Sequence, residues 1–325
     1  MRGCIAGLLL CIGCGGGGGG GGVTPDGGGG SNGSGAHDLG TCAVFPTDAT
    51  GTRDAYTYWN LDITNAGVDP LSDQYIASMG ATTHVHPDFG SDPTYGIPYA
   101  AVPGTQPKVA MTFDVPGESD PGPYPFPADA PVEAGSDGHV LIVDRDHCIL
   151  YETGNSVYHA SSNSWSAYSG AVFDLKTGTP LRTDGWTSAD ASGGPILVGL
   201  ARYEEVAAGS IEHALRFTAA TSQHAYAHPA THYASSNTST SVPPMGLRLR
   251  LKASACPTLL AGAGTQSKVI VQALCTYGMI LADNGSNYYI SGSTDPRWDD
   301  NDLGYLKTIP GSDFEAITTG TLTVN

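Results

Sequence analysis

Positive charge is scarce in this sequence. Against 31 Asp and Glu there are 14 Lys and Arg in 325 residues, a formal net charge of −17 and a pI near 4.7. A surface so poor in cations does not neutralise phosphates, which excludes nucleic acid as a partner and disfavours docking on anionic lipid. The apolar run at Ile5–Ile12 falls short of the roughly 20 residues that a membrane-spanning helix needs. Other signatures are missing too. There is no GxSxG serine elbow, no HExxH zinc helix and no dinucleotide fingerprint, and no GK[ST] follows the glycine tract. No internal repeat is visible.

What stands at the N-terminus instead is a short signal pattern. Arg2 precedes the apolar run, and Cys11-Ile12-Gly13-Cys14 resembles a bacterial lipobox, with Gly13 before the cut and Cys14 as the lipidated residue. Residues 1–13 are thus expected to be a lipoprotein signal peptide, with plain secretion as the alternative. The eight glycines Gly15–Gly22 begin a stretch, 14–40, that has almost nothing to bury and reads as a flexible tether. As a Gly-rich coil it reaches roughly 25–30 Å. Acyl chains on Cys14 would hold the molecule to a bacterial membrane, so a lipid bilayer is the first expected partner.

Residues 41–325 are expected to form one globular domain. Four cysteines remain there in an oxidising compartment, Cys42, Cys148, Cys256 and Cys275, with no CxxC among them. Of the three pairings open to four cysteines, Cys42–Cys148 with Cys256–Cys275 is preferred, since the second closes a modest loop beside a predicted helix.

Most of the domain reads as short strands between Gly, Pro, Asn and Asp punctuation. HVLIVDRDHCILYE (139–152) reads as a hairpin, and 171–175 as a strand. In IEHALRFTA (211–219) His213, Leu215 and Phe217 share one face, Ala214 and Arg216 the other. LRLRLKA (247–253) alternates, with the leucines inward and Arg248, Arg250 and Lys252 outward. GMILADNGSNYYISG (278–292) carries Asn284-Gly285 between two apolar arms, the signal of a tight hairpin. Helices are predicted over 70–79 and 267–278, with a turn near 302–307. The Pro- and Gly-rich span 86–131 reads as long ordered loops. The fold expected is mainly β, a single sandwich or jelly-roll-like domain with peripheral helices.

Eight segments in order, HPDFG, ESDPGPYPFP, HVLIVDRDHC, GWTSAD, HALRFT, PPMGLRLRLKAS, YGMILADNGSNYYISG and DPRWD…GSDFEAI, give the chain after Cys42 a likeness of its own. It resembles an uncharacterised group of secreted or lipid-anchored bacterial proteins. The resemblance implies one intact extracytoplasmic domain and carries no activity or catalytic residues.

The chemistry-bearing candidates are acids first. Glu118 and Asp120 lie in a proline-stiffened loop, Asp190 in GWTSAD and Asp283 in ADNG. Glycoside hydrolysis needs two such carboxyls on facing positions, although acids in turns also cap backbone amides. His213, on an apolar face, is a candidate general acid or base, or a core histidine with one hydrogen bond. His224, His228 and His232 recur at four-residue steps, but Pro229 interrupts any helix, so no metal is favoured; His84, His86 and Asp88 form a weaker ligand set. No cofactor is expected. Ser188 lacks an identifiable base. Trp186 and Trp298 are candidate sugar-stacking residues, with core packing as the alternative for Trp59, Trp165 and the rest. The resulting expectation is a surface-tethered glycan-acting enzyme, hydrolase or lyase. Its alternative is a non-catalytic glycan-binding or envelope lipoprotein. Convergence of Glu118, Asp120, Asp190, His213 and Asp283 in one groove would favour the enzyme, and their scatter across separate loops would remove the enzyme built on these five.

Overall fold

The structure is a computed structural model that describes residues 37–42, 45–48 and 50–324. The expected signal, Cys14 and residues 15–36 of the tether lie outside the described residues. The first α-helix is α1 (Ser72–Met79), followed by β1 (His86–Asp88), β2 (Tyr99–Val102) and β3 (Ala110–Phe113). Five strands come next: β4 (Val140–Asp144), β5 (Ile149–Gly154), β6 (Val157–His159), β7 (Ser164–Ala167) and β8 (Ser169–Asp174). Helices α2 (Ile196–Gly199) and α3 (Tyr203–Ala208) lead to β9 (Leu215–Ala219) and β10 (Arg248–Leu251). After α4 (Cys256–Gly262) and α5 (Thr265–Thr276) come β11 (Met279–Asn284), β12 (Tyr289–Ser291), α6 (Asp300–Leu303) and β13 (Phe314–Ala316).

These strands form three open mixed sheets among the described residues, in the orders β1-β12-β9-β11-β10-β13, β2-β4-β5-β8 and β3-β7-β6. The chain is sheet-rich with few helices, as expected. One face of the six-stranded sheet packs Phe217, Leu249 and Leu281 against Tyr75 and Met79 of α1 and Ile270 and Leu274 of α5. A second cluster joins Ala214 and Ile280 to α2 and to Leu141, Val143, Leu150 and Phe173 of the four-stranded sheet. A third joins Val140, Ile142 and Tyr151 to Trp165. Each large apolar side chain buried this way contributes about 1.5–3 kcal/mol.

The β4–β5 hairpin forms where the sequence placed it, because Asp144 Oδ1 accepts the Asp146 and His147 amides, each at 3.1 Å, and fixes the turn. Both expected disulfides are present, Cys42–Cys148 and Cys256–Cys275. Among the described residues no helix is long and apolar enough to cross a membrane.

Three expectations about strands are corrected. First, Asn284-Gly285 does not close a hairpin: β11 and β12 both pair with β9, which lies between them. The turn instead climbs over the end of β9, with Gly285 N donating to Ala219 O and Thr218 Oγ1 donating to Ser286 O. Second, Arg248 and Arg250 are buried rather than outward. The irregular segment 58–63 covers that side of β10, and its carbonyls need donors. Arg248 supplies them to Tyr58, Trp59 and Leu61, and Arg250 to Ile63. Third, the loop span 86–131 contains β1, β2 and β3.

Candidate active site

The site is built on the six-stranded sheet. Asp88 on β1 lies opposite Ser291 on β12, and Ser291 Oγ accepts from Arg216 Nη1 on β9 at 2.6 Å. Side chains alternate along β9, so Arg216 points away from the face that buries Leu215 and Phe217. On the neighbouring strand the register shifts between Leu281 and Asp283, which sets Asp283 opposite Thr218. Thr218 is two residues from Arg216, so this bulge turns the Asp283 carboxyl onto the arginine's face.

Arg216 is held by two acids. Nε and Nη2 donate to the two oxygens of Asp190 at 2.8 and 2.9 Å, a bidentate pair, and Nη2 also reaches Asp283 Oδ2 at 3.3 Å. Asp190 and Asp283 thus share one guanidinium nitrogen. The loop delivering Asp190 is fixed locally and at range. Asp190 N donates to Ser188 Oγ at 2.9 Å, and Ser192 N donates to Ala282 O at 2.8 Å, next to Asp283. Gly193 turns this loop at φ +77°, where a Cβ would collide with Thr231 Oγ1 and the Trp186 carbonyl.

Across from the arginine stands His139, at the start of β4. Its Nδ1 lies 2.5 Å from Glu133 Oε2 and its Nε2 lies 3.1 Å from the Ala189 carbonyl, the residue before Asp190. Both ring nitrogens therefore face acceptors, the arrangement of an imidazolium. Burial lowers the His139 pKa, but the hydrogen bond and charge of Glu133 outweigh it and the net shift is upward. Glu133 moves the opposite way: burial raises it, and the hydrogen bond and charge of His139 bring it below its ordinary value.

Asp283 is pushed up to about 7, by desolvation first and by the Asp190 charge second, against the pull of Arg216. Its side chain is nonetheless 27% exposed, against 1% for Asp190 and 16% for Glu133. Asp88 is also raised, by desolvation and by Glu133, with His86 and Arg216 opposing. Glu152, which feels the charges of Asp190 and His139, is fully buried and accepts the amides of Ile196 and Leu197 at 2.9 and 2.8 Å, yet desolvation still lifts it to about 7. Asp283, which solvent reaches, is thus displaced toward protonation next to Asp190 and Arg216, while Glu133 is displaced the other way by His139.

No protein-family model matches the chain, and no curated protein or solved structure is similar to it.

The five acid–base candidates from the sequence do not converge in one groove, which removes an active site built from all five. Asp190 and Asp283 meet at Arg216. Glu118 and Asp120 stand together elsewhere: Asp120 pairs with Arg182, and Glu118 Oε2 accepts the Thr187 amide at 3.3 Å. Both lie against the separate loop that carries Arg182 and Trp186 and continues to Asp190. His213 is fully buried between Glu205, at 3.2 Å, and the Ala214 carbonyl, in the role of a core histidine. Ser188 is buried and serves the Asp190 turn.

Trp298 is a core residue, 4% exposed, packed on Phe89 and Tyr203 with its indole N–H donated to Ser293 O. Trp59 and Trp165 are buried as well, whereas Trp186 is half-buried. The three histidines of 224–232 take separate partners: the Ser235 carbonyl, the Asp54–Asp184 pair and the Ala191 carbonyl. Among the described residues the group of donors spaced for a metal is His37, Glu204 and Asp295, and Arg297 already pairs with both of its acids.

Sequence reasoning missed Glu133, His139, Glu152 and Ser291, and saw Arg216 without a role. The signal available was small. A histidine opening an apolar strand and an arginine inside HALRFT are both polar side chains in apolar strand context, and each therefore demands a buried partner.

Proposed function

We propose that the chain is a surface-tethered extracytoplasmic enzyme that hydrolyses a glycan at the Asp190–Arg216–Asp283 cluster. Asp283 is the general acid and Glu133 the ionised base or nucleophile, while Asp190, Arg216 and His139 position and charge-balance them. The observation that carries this reading is the meeting of Asp190 and the partly exposed Asp283 on one nitrogen of Arg216, with the Glu133–His139 pair held to the Ala189 carbonyl of the same loop; burial raises the Asp283 pKa, and His139 lowers that of Glu133. Paired acids driven to different protonation states are what glycosidic bond cleavage requires. A lyase is disfavoured, because it must neutralise a substrate carboxylate, and both cations of the cluster are already held, Arg216 by Asp190 and His139 by Glu133. The larger two sheets, joined by a shared apolar cluster, are read as a sandwich, and Cys14 as the lipid attachment that follows a cleaved signal.

The test is a panel of neutral and acidic polysaccharides incubated with the purified full chain, reading both new reducing ends and unsaturated-uronate absorbance. Reducing ends without uronate absorbance are expected from the native chain, and loss of them in Asp283→Asn and in Glu133→Gln. Turnover that survives both substitutions would remove these residues from the mechanism. Binding without turnover by the native chain would favour the glycan-binding alternative. Intact mass of native membrane-extracted protein tests the anchor, which requires an acyl adduct on a chain starting at Cys14.

A further inference from the structure

A groove opens along the part of the Asp190 loop that carries Arg182 and Trp186. Its volume is about 370 Å³, at the small end of ligand sites, and its walls include Asp120, Val172, Leu181, Arg182, Thr183 and Trp186. We propose that this groove is a binding subsite for an uncharged sugar unit of the same glycan, stacked on Trp186 and hydrogen-bonded to Asp120. The proposal rests on the glycan reading above and adds to it where the chain is gripped and which sugars fit.

Four observations carry it. Trp186 is the tryptophan that the fold leaves accessible, while Trp59, Trp165 and Trp298 are at most 4% exposed. An indole beside the aliphatic walls of Val172 and Leu181 offers a flat apolar surface to the C–H face of a pyranose, and Asp120, 33% exposed, offers a carboxylate to its hydroxyls.

The groove is also built in advance. Arg182 is buried and donates to Asp120, to the Glu118 carbonyl at 2.7 Å and to the Thr187 carbonyl at 2.9 Å, and its own amide donates to the Tyr56 hydroxyl at 3.1 Å. Its guanidinium lies 5.6 Å from the Trp186 ring centroid. A wall locked in this way loses little freedom on binding.

The charge then selects the ligand. Arg182 is satisfied by Asp120, so the groove has no cation to spare for a uronate or a sulfated sugar, and the chain as a whole carries −17. Finally, the groove and the acid centre share one loop. Trp186 precedes Asp190 by a single turn, in which Thr187 Oγ1 donates to the Asp190 carbonyl at 3.2 Å, and the Trp186 carbonyl accepts from Thr231 at 3.0 Å.

The experiment measures binding and turnover of neutral gluco-, xylo-, manno- and chito-oligosaccharides, and of oligogalacturonate, by calorimetry and reducing-end assay. It uses the full chain and the variants Trp186→Ala, Trp186→Phe and Asp283→Asn. One neutral series is expected to bind, with Trp186→Ala weakening Kd and raising KM about tenfold or more, the loss lying in KM rather than kcat. Trp186→Phe should recover most of it, and Asp283→Asn should bind normally without turnover.

If Trp186→Ala leaves Kd and KM unchanged, the groove is overturned while the acid centre stands. If the native chain binds a neutral series through Trp186 but turns over nothing, the enzyme reading fails and the groove stands. Oligogalacturonate binding as tightly as the neutral series, or no oligosaccharide binding at all, overturns the groove.

Discussion

Arg216 and Arg248 sit on strands that flank β11 in the same sheet, and both are buried, yet the fold compensates them in different ways. Arg216 meets carboxylates. Burial alone would lower its pKa, but Asp190 and then Asp283 hold it well above its ordinary value. Arg248 meets main-chain carbonyls, of Tyr58, Trp59, Leu61 and Tyr277, and desolvation brings it down to about 10. Dipoles satisfy the hydrogen bonds of a guanidinium without cancelling its charge, so they serve to staple a loop. Acids cancel the charge and in turn have their own protonation shifted. Of the two, only the second arrangement prepares groups to exchange protons, and it is the one that solvent reaches.

The contrast is open to direct attack. The largest effect is expected at the acid itself: Asp283→Asn should lower kcat by about 10²–10⁴-fold, the usual yield of general acid catalysis. In the native enzyme kcat should fall as pH rises past about 7, where Asp283 loses the proton it donates. A flat profile from pH 6 to 9 would show that Asp283 is not the donor.

Next in size is Arg216→Met, which strands the buried Asp190 and should cost about 3–5 kcal/mol in urea unfolding. Adding Asp190→Asn should recover part of that loss, although not activity. Arg248→Met should cost roughly 1–3 kcal/mol for each carbonyl left dry, less than their sum, with turnover per folded molecule unchanged. Equal losses at the two arginines, with no recovery from Asp190→Asn, would erase the distinction between them.

How far the sequence foretold this arrangement varies with the range of the contacts. The β4–β5 hairpin and helices α1 and α5 were readable because their determinants are local; the even count of cysteines implied disulfides without fixing which of three pairings forms, and the preferred one is present. The order β12-β9-β11 was not, since Asn284-Gly285 is a good hairpin turn and nothing nearby announces that β9 will come between its arms. Asp190 and Asp283 were readable as candidates but not as partners: the bulge after Leu281 decides which face Asp283 takes, and a period-two pattern does not encode it. Glu133 and His139 are close in sequence, yet their meeting with Arg216 depends on β4 and β9 belonging to different sheets. Arg248 misled because alternation assumes one solvated face, and segment 58–63 covers that face.

The last effect tests the buried acid next to the cluster. Glu152 has its folded pKa at about 7, above its unfolded value of about 4.5, so its protonated form is favoured by folding. The stability it contributes is complete below pH 4.5, declines between pH 4.5 and 7 and is gone above that. The 2.5-unit displacement corresponds to about 3 kcal/mol. Glu152→Gln cannot titrate, and it keeps one acceptor for the Ile196 and Leu197 amides where the native side chain has two. The native chain should therefore be more stable than the variant at pH 4, and its advantage should shrink by about 3 kcal/mol by pH 8, read from urea midpoints at matched ionic strength. An advantage that stays constant across this range would mean that Glu152 is ionised throughout. Asp190, His139 and Asp283 would then sit above a fixed negative charge, and the upward displacement of Asp283 would have to be larger still, moving the basic limb of kcat above pH 7. The two titrations constrain each other, because the stability of the buried acid and the activity of the exposed one respond to the same local field.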